Sequence, residues 1–283
     1  MGKNLIQKTD FASIPDDKLS KVYITNNIIE AVTIEKPPNS IKRFKRVGRN
    51  SCVNLETGEY IEFSNNKNLM SVQNHFRRSA KDLRRIINFN FTGKRNEKFL
   101  TLTYRTHMTD YQQVNADFKR FWSKFIYHYS NWEYIRIIEP QESGCWHLHL
   151  LIKNSSNDTY FLNYDDLQRL WEHGFLWIEN LPFVDNFGAY FSARFTTDEI
   201  CEHQKSSYKK GKRINFYPSN FKFYTCSKGI KRPKAIFITR RNLKRIVGNS
   251  KPVIAYTNLI VSDSNKELNS VSYEQYIIKG EEK

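Results

Sequence analysis

Between positions 134 and 152 the chain reads Tyr-Ile-Arg-Ile-Ile-Glu-Pro-Gln-Glu-Ser-Gly-Cys-Trp-His-Leu-His-Leu-Leu-Ile. An apolar arm, a polar turn centred on Gly144 and a return arm of alternating residues describe a β-hairpin. Residues two apart in a strand share a face, so His147 and His149 point one way while Leu148 and Leu150 point the other. Two imidazoles on one face, joined by a carboxylate from the neighbouring arm, make three ligands and leave coordination positions open. That is the arrangement of a catalytic metal centre rather than a closed structural one. Glu139 ends the outgoing arm and is the preferred carboxylate, with Gln141 on the same face in reserve. Two half-buried histidines satisfied by backbone or water are the plain alternative. Cys145, also on the His face, leaves a softer Cys-His-His zinc site open.

The surroundings must then decide what such a hairpin is for. A net charge of +16 over 283 residues repels itself unless an anionic partner neutralises it, and nucleic acid is the commonest such partner. An anionic membrane is the rival, but no apolar run approaches transmembrane length and the N-terminus does not read as a signal peptide. Four cysteines without paired spacing suit a reducing compartment, so a cytoplasmic location without membrane contact is expected. The sequence shows no zinc-finger spacing and no Walker A loop, so the chain is not expected to carry its own helicase motor. Hydrophobic content of 39% supports one substantial core with appendages, or two small domains.

Along the chain, 1–65 reads as a β-rich accessory segment, with short strands around 22–24 and 28–34 broken by Asn26-Asn27. The stretch 41–49 alternates base with hydrophobe, as a strand along phosphates or a solvated edge strand would. Apolar residues at threes and fours predict a helix over 68–88, whose other faces carry Arg77, Arg78, Arg84 and Arg85, a candidate DNA-facing set. A Thr-rich strand follows at 99–104, and Asp110 caps a second helix with Val114, Phe118, Phe121, Phe125 and Tyr129 as its buried stripe. After the hairpin come a short helix over 165–173, a strand at 175–178 and a helix over 186–195. On that last helix Phe187, Phe191 and Phe195 form the buried stripe, leaving Tyr190 and Arg194 at its edge. The order predicts an α+β fold, with an antiparallel sheet and helices on one side. Lys209, Lys210, Lys212 and Arg213 form a basic loop suited to clamping a DNA backbone. A short basic helix around 240–245 precedes a C-terminal hairpin or tail over 246–283.

Three segments in one order, 99–104, His147–Leu148–His149 and Gly188-Ala189-Tyr190-Phe191-Ser192, resemble the HUH endonucleases, and among them the rolling-circle replication initiators of plasmids and small phages. The resemblance spans about 67–235, and 66–245 is read as the endonuclease domain. It implies a ferredoxin-like domain whose central antiparallel sheet has about five strands. It further implies that His147, His149 and Glu139 hold Mg2+ or Mn2+, and that Tyr190 is the nucleophile; Arg194, one turn on from Tyr190, is expected to assist it by its charge. Its implied partners are origin DNA with a single-stranded or hairpin nick site and a host helicase and polymerase. The chain departs from the family at two places. A Lys is usual three residues after the tyrosine and some members have a second Tyr four residues on, where this chain has Ala193 and Arg194. A two-tyrosine hand-over within this motif is therefore excluded.

The chemistry agrees with the resemblance. A divalent ion held by two neutral imidazoles and one carboxylate keeps positive charge for the phosphate oxygens. A tyrosine nucleophile conserves the energy of the broken bond in a 5′-phosphotyrosine link and leaves a 3′-hydroxyl primer. Trp146 or Trp177 would stack on bases of the unpaired strand. Two rival readings are a non-catalytic single-stranded DNA or RNA-binding module, and a relaxase or transposase of the same superfamily. Relaxases usually carry a third His on the metal strand, where this chain continues Leu150-Leu151-Ile152-Lys153.

Overall fold

The computed structural model describes residues 5–36, 44–48, 51–54, 58–62, 69–156, 161–182, 184–195, 217, 221–261 and 267–278. The fold is α+β, and the chain divides into two compact units. One comprises Met1–Val22, Ile29–His75 and Ala235–Tyr276; the other comprises Tyr23–Ile28, Phe76–Lys234 and Ile277–Lys283.

The first unit is built on a six-stranded sheet in the order β1 (Leu5–Thr9), β13 (Ile254–Val261), β14 (Glu267–Ile277), β3 (Ile28–Ile34), β2 (Leu19–Thr25), β12 (Ile236–Thr239). Strands from both ends of the chain thus share one sheet. Asn26 takes the left-handed conformation at the β2–β3 turn, as the Asn-Asn pair suggests. Among the described residues of the basic stretch 41–49 is the short β4 (Phe44–Arg46), which pairs with β5 (Ser51–Asn54). The short helix α5 (Arg240–Val247) begins where expected, with Thr239 as its cap. Its first residue is buried, however, and Arg240 donates to both carboxylate oxygens of Glu274.

The second unit holds the hairpin. Its sheet runs β10 (Leu176–Asn180), β7 (Glu97–Leu102), β9 (Trp146–Asn154), β8 (Trp132–Pro140), β11 (Tyr224–Cys226), antiparallel throughout. Five strands with packed helices are compatible with the expected ferredoxin-like domain. On one face, Leu148, Leu150 and Ile152 of β9 and Leu100 and Leu102 of β7 join Val114, Phe118, Phe121 and Phe125 of α2 (Tyr111–His128) in a buried core. Asp110 caps α2 as its sequence implies, accepting from Gln112 and Gln113 N–H at 2.7 and 3.2 Å. The helix α3 (Tyr164–Leu170) lies under the same core through Leu167 and stops at Trp171, short of Gly174. Helices are not confined to this side. On the opposite face Phe191 of α4 (Phe187–Phe195) meets Phe99 of β7, with ring centroids 5.0 Å apart. The end of α1 (Leu69–Asn90) reaches Lys153 of β9, whose ammonium donates to the Asn90 side chain at 3.2 Å. The central strand is therefore covered twice, which is why the alternation of β9 gives way to fully buried Leu151 and Ile152.

One buried polar cluster anchors α2 to the sheet. The Asp117 carboxylate, 1% exposed, accepts from Tyr104 Oη at 3.1 Å, from Gln113 Nε2 at 2.8 Å and from Arg120. Burial, reinforced by the Asp117 charge, pushes the Tyr104 phenol far above its ordinary range. An unfolded phenol loses its proton near about pH 10, whereas the folded one keeps it. The stabilisation is thus complete below that pH and falls as pH rises further. Thermal melts taken upward through that range should show a declining midpoint. Tyr104→Phe should flatten part of the decline and cost about 1.5–3 kcal/mol at neutral pH. An unchanged slope would mean that Tyr104 is not the group responsible.

Candidate active site

The site begins with strand register. Glu139 on β8 stands directly opposite His147 on β9, and Ile137 opposite His149. The Glu139 carboxylate leans diagonally, so that Oε2 lies 3.2 Å from His149 Nε2. Both side chains are mostly buried, with 16% and 13% exposure, which strengthens their interaction over that of a surface pair. On the other side of the ring, His149 Nδ1 lies 3.2 Å from the Thr101 hydroxyl across the β7–β9 ladder. With a neutral ring the network assigns the Nε2–H to the carboxylate and lets Nδ1 accept from the hydroxyl. Gln141, the reserve candidate, instead serves His147, its Nε2 amide lying 3.1 Å from His147 Nδ1.

The donor set is of mixed kind, its carboxylate suiting a hard divalent ion such as Mg2+ or Mn2+ and its imidazoles a softer one. It offers two imidazoles and a carboxylate, and the 3.2 Å between His149 Nε2 and Glu139 Oε2 is close to one edge of an octahedron. With metal–ligand bonds of roughly 2.1 Å that edge is about 3.0 Å. His147 and His149 stand further apart, with ring centroids 6.4 Å from each other. Among the described residues no group of three or more His, Cys, Asp or Glu side chains already converges on a common point. Cys145 is turned away, its thiol directed at the Thr106 carbonyl at 3.9 Å, so nothing in its orientation favours the zinc alternative.

Tyr190 enters on α4, and its position follows from how that helix is fixed. Asn186 caps the helix by accepting from Ala189 N–H at 2.9 Å. Asn88 of α1 accepts from Gly188 N–H at 2.6 Å and donates to Asn186 Oδ1 at 3.0 Å. Gly188 is required here, because a Cβ would fall well inside contact distance of the Arg84 carbonyl oxygen. Below the clasp, Phe191 packs on Phe99, and Phe99 stacks on His149 with centroids 5.8 Å apart and planes 6° from parallel. The tyrosine helix is thereby tied to the histidine strand through two aromatic rings, with Tyr190 edge-on to Phe191 and 36% exposed.

Other candidates distribute differently. Arg77 and Arg78 are exposed on α1 and Arg84 is half-buried. Arg85 is buried, with its guanidinium over the Tyr23 ring at 3.7 Å and Asp82 at 3.7 Å, so it belongs to the interior rather than to a DNA-facing surface. The Arg194 side chain and Lys209, Lys210, Lys212 and Arg213 lie outside the described residues. Trp146 is buried and donates to the Thr109 carbonyl, which removes it as a base-stacking residue, whereas Trp177 is 67% exposed. Sequence reasoning missed Thr101 and Phe99 as supports of His149. Their signal was the alternation of Phe99 and Thr101 against Leu100 and Leu102, legible only once the β7–β9 register is known.

Two substitutions test the clasp. Gly188→Ala overpacks the α1–α4 crossing and should lower the unfolding free energy by about 1–3 kcal/mol. Asn88→Ala strands the Gly188 amide and should cost a similar amount, about 1–3 kcal/mol. Urea titrations of both measure this, and a Gly188→Ala chain as stable as wild type would show that the helices have room to part.

Residues 97–199 match the family model described as replication-associated protein ORF2/G2P. No curated protein and no solved structure matches the chain. The matched stretch opens at β7 and runs past α4, so it contains Glu139, His147, His149 and Tyr190 together. The match likens this stretch to replication-associated proteins.

Proposed function

We propose that the chain is a rolling-circle replication initiator that nicks and rejoins an unpaired DNA strand through Tyr190. The observation that carries this reading is the pairing of His149 with Glu139 on the face that also receives the tyrosine helix, through Phe99 and Phe191. That whole assembly lies inside the stretch matching replication-associated proteins.

In the proposed reaction the Tyr190 phenolic oxygen attacks the scissile phosphorus and the bond to the 3′-oxygen breaks. The phenol proton is released to solvent, and the departing oxygen takes up a proton to become a 3′-hydroxyl that a polymerase extends. The 5′ end stays on the enzyme as a phosphotyrosine ester, so reversal by a 3′-hydroxyl needs no nucleotide cofactor. His147, His149 and Glu139 would hold Mg2+ or Mn2+, which supplies Lewis-acid charge at the non-bridging phosphate oxygens. The chain's own contribution is placement. Thr101 and Glu139 orient the His149 ring, Gln141 orients His147, and the two phenylalanines set α4 against them. Arg77 and Arg78 would bind backbone phosphates, and strand separation would come from a host helicase. HUH chemistry on a plasmid or phage origin is the setting proposed for these steps.

Incubation with hairpin-bearing single strands and Mn2+ should give a covalent adduct whose digest places the nucleotide on the peptide containing Tyr190. Tyr190→Phe should give none while keeping DNA affinity. His147→Ala or His149→Ala should slow adduct formation by roughly 100-fold to 10,000-fold, as expected for several kcal/mol of transition-state stabilisation, and EDTA should act alike. Tight binding by wild type without any adduct would favour the non-catalytic binding module instead. An adduct surviving in Tyr190→Phe would move the nucleophile to another tyrosine.

A further inference from the structure

The outward face of β10 departs from what an edge strand normally shows. Leu176 turns into the core and is 1% exposed, as alternation requires. The residues on either side, Phe175 and Trp177, are 66% and 67% exposed. A solvated face is usually polar, and an edge strand usually carries charge. Here two large aromatic side chains stand in water at positions i and i+2. Phe175 continues the ladder one step beyond β10, its carbonyl accepting from Thr103 N–H at 2.9 Å.

Register places these rings relative to the site. Trp177 is paired with Thr101, and Thr101 with His149, so the three occupy one row across β10, β7 and β9 and share a face. Adjacent strands lie roughly 4.8 Å apart, which sets Trp177 about 10 Å from His149 along that row. Thr101, the residue between them, is the one whose hydroxyl meets His149 Nδ1. The aromatic face is therefore continuous with the His149–Glu139 pair. At the other end of the same strand, a cleft bordered by Asn180 carries Lys98 and the exposed Lys94 and Arg95, cations suited to a phosphate backbone.

Resting on the nicking reading above, we propose that Phe175 and Trp177 form a stacking platform that holds unpaired bases of the substrate DNA strand beside the His149–Glu139 pair. The spacing selects single strands. Side chains at i and i+2 are roughly 6.6 Å apart along a strand, about twice the 3.4 Å rise per nucleotide of a duplex. Bases of a duplex are stacked on one another and leave no gap for a ring, whereas an extended strand offers separate base faces at such a spacing. Aromatic stacking tolerates any base, so the platform would set strandedness and distance from the scissile phosphate rather than sequence.

Trp177 also provides the probe. Of the five tryptophans, Trp132, Trp146 and Trp171 are buried and Trp122 half-buried, leaving Trp177 as the exposed one. Titration of the full chain with a short oligothymidine, in EDTA to prevent cleavage, should quench tryptophan fluorescence in wild type. By anisotropy of a labelled oligothymidine, Trp177→Ala should bind roughly 10- to 100-fold more weakly. Trp177→Phe should keep most of the affinity while losing the quench, and Phe175→Ala should weaken binding further in combination. Blunt duplex DNA should bind all variants equally. Wild-type affinity in Trp177→Ala overturns the proposal. So does tighter binding to oligouridine than to oligothymidine, which would assign the platform to RNA. A change in the sedimentation of the DNA-free chain without a change in DNA affinity also overturns it, because the rings would then cover a contact between copies. None of these readouts requires cleavage, so a wild-type chain that binds but never forms an adduct removes the nicking reading and leaves the stacking result standing on its own.

Discussion

The alternation of β9 is the constraint on which the catalytic reading rests. Trp146, Leu148, Leu150 and Ile152 are held in a core with α2, and their burial fixes the register of β9 against both neighbours. A slip of one residue would drive His147 and His149 into that core and take its large apolar side chains out of it, onto the face that carries the histidines. At about 1.5–3 kcal/mol for each buried apolar side chain, such a slip is strongly opposed. The energy that orients the histidines is therefore supplied on the far side of the sheet, by the core with α2. The same register sets Glu139 opposite His147 and Thr101 beside His149.

The second face is organised by a different kind of interaction. Two asparagines and a glycine join α1 to α4, and each satisfies a backbone or side-chain group that would otherwise be buried without a partner. Phe191 and Phe99 then carry the helix to His149. Polar bonds give α4 its position along α1, while the rings give its height above the sheet. Tyr190, held edge-on to Phe191, is thereby fixed relative to the histidine strand.

Much of this was legible in the sequence because it follows from period. The α2 stripe from Val114 to Phe125, the Asp110 cap, the hairpin and the α4 stripe through Phe187 and Phe191 all obey spacings of two or of three and four, and all are present, while Tyr129 is the C-cap of α2 and only partly buried. What escaped depends on partners distant in sequence. Arg85 looks like any other arginine of an Arg-rich helix until Tyr23 is placed beneath it. Trp146 and Trp177 are equivalent as letters, but one lies on the core side of the hairpin and the other on the outer side of an edge strand. Helices on both faces of the sheet were likewise invisible, since a sequence states where a stripe is and not which side of a sheet receives it. The pairing of chain ends in one sheet had no local signal at all.

That last feature bears on how the molecule is made. Residues 76–234 supply nearly all of the unit that carries the histidines, as one continuous stretch. The six-stranded sheet, by contrast, interleaves β1, β2 and β3 with β12, β13 and β14, partners separated by some two hundred residues of chain. During synthesis, β2 and β3 emerge early and must wait, edges unpaired, while the ribosome completes the intervening stretch. At roughly 5–20 residues per second the delay is on the order of ten seconds or more. The nascent chain can therefore complete the five-stranded unit before its first strands find their neighbours. During that interval the polar and basic residues of the waiting strands, Lys8 of β1 and Lys21 of β2 among them, help keep unpaired edges from joining those of another chain.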